Sequence, residues 1–600
     1  MIRKLSGAAN ALFPCLITNL ILLCPGTSKN SARFLSGLTQ SQVFTHRLKN
    51  YTFIMTESVS GRTTCHLAKT MSEWSFSPST LLSLPLDETE ENYVRGYVRN
   101  AVFSKVMPTP LEKNLQLVGT SEDALVKILD MDPSIAETAE FVQFVAGNKI
   151  LPSCTPLAHR YGGHQFGVWA SQLGDGRAIL LGEYINKRGE RWELQLKGSG
   201  LTPYSRGADG RAVLRSSIRE FLAAEAMYYL GVPTSRVAAL ITSDEGVIRD
   251  PLYDGRPIME KASVVLRLAP SWFRIGSLEL PTKLGEVSTL RTLLQFIIKT
   301  SFPDLWSSAE ENLAKASVSF GLKVAELSYE MWVHWQRVGF VHGVMNSDNI
   351  SLLGVTIDYG PFGFMSEFNR RYVPNTSDTE ARYCYQQQIS ALDFDLVKLR
   401  ESLGFVIMSD HELAAEMKAS LIREMAEGFK ILRRKAEVDL KLAFLKKLGL
   451  SNEVHYDVVE QLLLIMEESK ADFTATFRDL SEVDIYKVEE VEDKFWALLE
   501  TKRHKHFDAF LQKYKDALQA EEVDEARRQS VMQSVNPCYV LKNWMAQEAI
   551  AEAEKGNFEK VRLIERILQK PYERQAEAEK LQFGSKVPNW EKRLMVSCSS

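Results

Sequence analysis

Asn349 and Asp358 bracket the short run Ile350 to Ile357, and both end in hard oxygen donors of the kind Mg²⁺ takes. Asp358 follows Val355-Thr356-Ile357, which predicts a strand ending at the carboxylate. Asp348 adjoins Asn349 and is the nearest carboxylate that could accept a proton from a hydroxyl. Metal support or a loop cap would serve Asp348 equally well. An Asx turn at Asn349 and a hairpin-end aspartate at Asp358 would explain each residue alone, but less readily both at this spacing. The chemistry these residues suit is transfer of a phosphorus-bearing group from a metal–nucleotide complex to an acceptor.

Such a site needs elements to position it. Phe166 to Ala170 reads as a strand, Gln172 to Arg177 as a turn carrying Gly174 and Gly176, and Ala178 to Ile185 as a second strand. Asn186 to Gly189 reads as a hairpin turn leading into a third strand, Arg191 to Lys197. Alternation puts Trp192, Leu194 and Leu196 on one face of it, and Glu193, Gln195 and Lys197 on the other. Ala212 to Leu230 is a helix, with Ile218, Phe221, Leu222 and Ala226 at helical spacing and a stop at Gly231. Glu220 on that helix can pair with Lys197, and the glycines would let backbone approach phosphates. This order of turn, lysine strand and glutamate helix is the order used by protein kinases. Kinases continue with His-x-Asp-x-x-x-x-Asn and then Asp-x-Gly. Here His342 to Asn349 and Asp358-Tyr359-Gly360 keep that frame, but Val344 occupies the position of the kinase's catalytic aspartate. Arg177, Arg267 and Arg274 add guanidinium forks that would hold terminal phosphates still, which suits attack at the α-phosphate. A strand arginine paired with a nearby acid is the simpler alternative.

The whole chain predicts an α+β protein with a bilobal, kinase-like fold and a long helical C-terminal region. The expected divisions are an N-terminal extension and N-lobe over 81–260, a C-lobe with the catalytic and metal loops over 261–400, and helices over 401–600. Ala314 to Arg337 is a second long helix, broken by Gly339, and 84–152 reads as a lead-in packed on the next unit. Tyr456 to Glu468 and Asn557 to Gln569 are amphipathic. With 45% hydrophobic and 25% charged residues over 600 positions the composition is globular, and a net charge of −4 argues against nucleic acid as a partner. Seven cysteines over this length form no disulfide framework. No acid precedes Glu57, whereas Arg3, Lys4, Lys29, Arg33, Arg47 and Lys49 do. That pattern predicts a mitochondrial transit peptide, with a plastid or secretory leader as the alternative, and places 1–80 outside the fold. The apolar run Ala11 to Cys24 is interrupted and too short to span a bilayer.

The motifs Tyr161 to Trp169, Leu173 to Arg177, Leu194 to Arg206, Asp209-Gly210-Arg211 and Arg215 to Glu220 resemble those of the selenoprotein O family. So do Arg267, Arg274, Asn346 to Asn349, Ile357 to Gly360 and Val535-Asn536-Pro537. The resemblance runs from about Leu84 to the C-terminus. It implies a pseudokinase-fold protein adenylyltransferase that binds ATP flipped relative to a kinase and moves AMP to Ser, Thr or Tyr hydroxyls of proteins. It further implies that Gly174, Gly176, Arg177, Lys197, Asp209, Gly210, Arg267 and Arg274 contact the nucleotide. Asn349 and Asp358 would bind Mg²⁺, with Mn²⁺ as an alternative, Asp348 would accept the proton, and Glu220 would orient Lys197. Eukaryotic members often carry selenocysteine where this chain has Cys598, which suggests redox regulation and mitochondrial redox proteins as substrates. Met595 replaces the partner of a Cys-x-x-Cys pair, leaving Cys384 or Cys538 as long-range partners or Cys598 as a frayed thiol. Two other readings are an atypical kinase that moves the γ-phosphate and a catalytically dead nucleotide-binding scaffold.

Overall fold

The computed structural model describes residues 66–89, 94 and 96–597; most of the acid-free leader and Cys598 lie outside them. The described residues belong to one compact unit of mixed α+β structure. Thirteen strands are present among them. They are β1 Leu86–Asp87, β2 Phe103–Lys105, β3 Gln116–Thr120, β4 Leu157–His159, β5 Gly162–Gln165, β6 Val168–Gln172 and β7 Ala178–Ile185. The rest are β8 Arg191–Lys197, β9 Ala212–Val213, β10 Arg236–Arg249, β11 Ile258–Ala269, β12 Phe340–Val341 and β13 Gly363–Phe364. Nine of them form one sheet in the order β1-β2-β4-β7-β8-β11-β10-β3, with β9 attached to β11.

The β7–β8 hairpin has the predicted bounds, and its turn closes with Gly189 N donating to Asn186 O at 2.8 Å. β8 then pairs antiparallel with β11, setting Gln195 opposite Arg267 and Lys197 opposite Val265. Alternation sends Leu194 and Leu196 into an apolar core with Phe141 and Phe144, and leaves Gln195 and Lys197 on the other face. Trp74 and Phe76 belong to the same core, and Trp74 Nε1 donates to Leu129 O at 2.8 Å. The fold therefore takes in residues before the predicted boundary near 80, because the back of the sheet needs those two rings for cover. The lead-in differs from its prediction too. It supplies strands at both ends of the sheet, β1 and β2 at one and β3 at the other, instead of only packing on it.

Helix Leu214–Tyr229 lies against the sheet through Ile218, Phe221 and Leu222, and starts two residues after the predicted Ala212 because Ala212–Val213 form strand β9. Helices Asn543–Glu554 and Glu559–Leu568 pack on it, and Arg562 donates to the carbonyls of Val118 and Leu117 on β3 at 3.1 and 2.9 Å. Edge-strand carbonyls that would face solvent are thus satisfied by a side chain from the far end of the sequence. The long helix Leu313–Arg337 ends at Gly339, whose φ of 70° turns the chain into β12. β12 and β13 close the stem of the loop that carries Asp348, Asn349 and Asp358. From 388 onwards the structure is helical, with a second core built around Phe444, Leu462, Phe477 and Tyr514. Among the described residues no helix is long and apolar enough to cross a membrane.

Candidate active site

Lys197 Nζ meets Glu220 Oε2 at 2.7 Å and lies 3.7 Å from Asp358 Oδ1. Arg267 reaches from β11 to Glu220 Oε1 at 2.9 Å and Asp358 Oδ1 at 2.6 Å. Arg274, at the start of helix Ile275–Leu284, donates to Asp358 Oδ2 at 2.6 Å and to Asp348 O at 2.9 Å. The sheet, the Glu220 helix and the loop thus converge on one carboxylate. The arginines are paired with acids here, as the simpler sequence alternative had it. Burial opposes ionisation of Asp358, yet Arg274, Arg267 and Lys197 outweigh it and hold the carboxyl well below the usual range. For Lys197 burial dominates, and its ammonium is lowered despite Glu220. Arg177 is half-buried, and desolvation lowers its guanidinium despite Glu220 and Asp358.

Asp358 does not end a strand. Its φ is 57°, and the residues before it make only isolated bridges, Thr356 with Thr234 and with Ile350. The left-handed backbone is uncommon for a residue other than glycine and re-aims the side chain at the arginines. His342 Nε2 donates to Ile357 O at 2.9 Å while the ring stacks near Trp335, tying the loop to the Asp358 segment. Asn349 spends its amide N–H on Val344 O at 3.0 Å. Its Oδ1 makes no hydrogen bond among the described residues. Asp348 is buried, its Oδ1 lacks a partner, and Oδ2 accepts from Gln165 Nε2 at 3.3 Å. Burial, only partly offset by Arg274, pushes this carboxyl up to about 6.

The strand predicted before the glycine turn is displaced. It is β6, which pairs with β5 in a two-stranded hairpin outside the large sheet. That hairpin covers the loop: His164 N donates to Ser347 Oγ at 2.8 Å and Phe166 N to Asn346 Oδ1 at 3.1 Å. Ser347 in turn donates to Glu279 Oε2 at 2.6 Å, and Glu279 also contacts His164. The glycines also have a packing role that the sequence reading did not include. Gly174 has a φ of +103°, and a Cβ there would lie 2.6 Å from Tyr204 Cγ; one on Gly176 would lie 2.7 Å from Tyr204 O. They let the segment around Thr202 to Ser205 fold over the turn, where Thr202 Oγ1 donates to Asp175 O at 2.7 Å.

Asp209 meets the cluster through the charge of Arg177 and not through Asp358. It is exposed and paired with Arg249 at 2.6 and 2.7 Å, while Gly210 packs against Gly200. Cys384 and Cys538 are buried free thiols, and burial raises both. Three participants escaped the sequence reading. Asp175, inside the glycine turn, accepts from Gln195 Nε2 at 3.0 Å, and burial raises it to about 6 against Arg274 and Arg267. Gln195 also accepts from Arg267, and its place on the Lys197 face of β8 was the available signal. Arg219 donates to Phe362 O at 2.7 Å and Asn543 Oδ1 at 2.9 Å, with its guanidinium 4.4 Å from the Phe362 ring centroid. A charged residue on an otherwise apolar helix face could have revealed it.

The donor set fits a hard divalent cation. Asn349 has a carboxamide oxygen to spare, Asp358 is anionic, and Mg²⁺ in phosphate-transfer sites takes one or two such groups and draws the rest from phosphates and water. Among the described residues no group of three or more His, Cys, Asp or Glu has the arrangement of a self-sufficient metal cage. Lys197, Arg177, Arg267 and Arg274 against Glu220, Asp358, Asp348 and Asp175 make a largely buried cluster of four cations and four carboxylates. This architecture defines a nucleotide-dependent transferase.

The model of the family described as "Protein adenylyltransferase SelO" matches residues 96–569, and the chain belongs to that family. A "Protein nucleotidyltransferase YdiU" of Xanthomonas campestris pv. campestris strain B100 is 41% identical over 510 residues, covering 83% of this chain and 95% of its own length. Proteins of the same description from Azoarcus sp. strain BH72 and Tolumonas auensis are 40% and 38% identical. They cover 86% and 88% of this chain and 98% and 99% of their own.

Proposed function

We propose that the chain moves AMP from ATP to Ser, Thr or Tyr hydroxyls of proteins, on a kinase-like pair of lobes formed by the sheet and the helices around the Asp348 loop. The observation that carries this reading is the convergence of Arg267, Arg274 and Lys197 on Asp358 while Val344 replaces the kinase base. Three cations around one carboxylate suit a triphosphate held along its length, with the α-phosphorus presented to the acceptor. Arg267 and Arg274 bind the terminal phosphates of ATP, and Asn349 and Asp358 would hold Mg²⁺. The bound ion would supply charge neutralisation on the phosphate oxygens. Glu220 keeps Lys197 in position. Asp348 accepts the hydroxyl proton as the acceptor oxygen bonds to the α-phosphorus, the bond to the β-phosphate oxygen breaks, and pyrophosphate leaves. The segment of Asp209 and Gly210 contributes to nucleotide binding through Arg249 and Arg177. The basic leader supports mitochondrial import, and redox control through Cys598 remains part of the same reading.

Incubating the chain with Mg²⁺, a mitochondrial extract and ATP labelled at the α- or the γ-phosphate tests it. Label on protein from α-ATP alone is the expected result. Label from γ-ATP alone would make the chain a kinase and overturn the proposal.

A further inference from the structure

A cavity of about 520 Å³ opens beside 371–391, and Arg371, Glu380, Arg382, Cys384, Gln386 and Gln387 are among its lining residues. The segment that lines it is bonded to the loop of the proposed base by two residues interleaved with the lining ones. Tyr383 Oη donates to Asn346 Oδ1 at 2.7 Å, and Gln388 Oε1 accepts from His342 N at 3.0 Å. One lining residue, Arg382, packs on the turn of the β5–β6 hairpin. A Cβ on Gly167 would lie 3.0 Å from Arg382 Cζ, so the guanidinium rests flat against the hairpin turn. The same guanidinium lies 5.0 Å from the Phe394 ring centroid. Two residues before Gly167, Gln165 hydrogen-bonds Asp348, so the cavity and the proposed base share one hairpin.

Neither Arg371 nor Arg382 forms an ion pair among the described residues, and Arg382 Nε is buried without a partner. Among the lining side chains two guanidiniums face the one carboxylate of Glu380, with Asp395 behind Arg382 and Asp378 near Cys384 as the neighbouring acids. Beside it the hairpin presents Phe166 and Val168, 37% and 71% exposed, which a polypeptide could cover. An arginine already flattened on aromatic and glycine surface gives up little freedom when it binds a carboxylate.

We propose that this cavity receives an acidic side chain of the protein being modified, so that Arg371 and Arg382 select hydroxyls with Glu or Asp close by in sequence. The inference rests on the reading of the chain as an adenylyltransferase with Asp348 at the acceptor hydroxyl. It names a class of substrate for that site: acidic segments that also carry Ser, Thr or Tyr.

Three fluorescent peptides of equal length, with a central serine flanked by glutamates, glutamines or lysines, provide the test. Fluorescence anisotropy with the full chain measures binding without ATP, and α-labelled ATP measures transfer. The glutamate peptide is expected to bind at least about tenfold more tightly than the glutamine peptide, as charge-assisted hydrogen bonds allow. Arg371→Glu should remove that preference and favour the lysine peptide. Arg382 is packed into the fold, so Arg371, which is exposed, carries the test, with a thermal melt to show that the variant folds. Equal affinities, or a preference untouched by Arg371→Glu, would overturn the proposal. Glutamate-selective binding with no AMP incorporated would keep the cavity and overturn the transfer reading. AMP incorporated equally into all three peptides would keep transfer and overturn the cavity.

Discussion

At the scale of single residues the site depends on charge that cannot be removed one piece at a time. Asp358→Ala would leave Arg267, Arg274 and Lys197 crowded together without their shared anion. Transfer should fall by about 10²-fold or more, since positioned charge at the reacting phosphates is lost. Denaturant melts should show a loss of about 2–4 kcal/mol, under the figure for a fully buried pair because the Asp358 side chain is 20% exposed. Adding ATP should restore more stability to this variant than to the native chain, because the triphosphate supplies the missing negative charge. Asp348→Asn tests a different atom. It keeps the shape and removes the proton acceptor, so kcat should fall by about 10²–10⁴-fold with ATP affinity little changed. Much of this was legible beforehand. Lys197, Glu220, Asn349 and Asp358 could be found because their order along the chain is a pattern in one dimension. The left-handed turn at Asp358, the use of Gly174 to admit Tyr204, and the part played by Asp175 could not. Each depends on which distant segment lies alongside.

At the scale of elements, helix Leu214–Tyr229 sets the position of Glu220, and through it that of Lys197. In kinases the placement of the helix that carries the lysine's glutamate partner controls activity. Here Arg219 pins the helix to Phe362 O and Asn543 Oδ1 from the residue next to Glu220. Arg219→Ala should lower kcat about 10–100-fold with a smaller change in KM, because it disturbs orientation rather than contact with ATP. Amide exchange across 214–229 should quicken in the same variant. Unchanged exchange would show that the helix is held by its apolar face alone. The elements themselves were largely readable. β7 and β8 follow from alternation and their turn, and the long helices from apolar spacing. The strands of 84–152 and the separate β5–β6 hairpin were not readable, because short polar strands are defined by their partners and not by their own composition.

At the scale of the whole molecule, the C-terminal helices complete the sheet region and carry a pH dependence with them. Burial raises the Glu565 carboxyl to about 8, only partly opposed by its hydrogen bond from Gln569. Its folded value therefore lies above the unfolded value of 4.5. Protonation favours the fold, so this contribution is complete below about 4.5 and is lost as pH rises through about 8. Glu565→Gln should make the melting temperature less dependent on pH over that window, with its largest gain at the alkaline end. The contact of Arg562 with β3 also has a consequence in time. The two partners are 444 residues apart in sequence. At usual rates of synthesis, roughly 20–90 s separate the emergence of β3 from the arrival of the side chain that caps it. Throughout that interval a growing chain carries an open sheet edge, so chaperone capture of stalled chains should be strongest between these two points and should cease once the last helices are made.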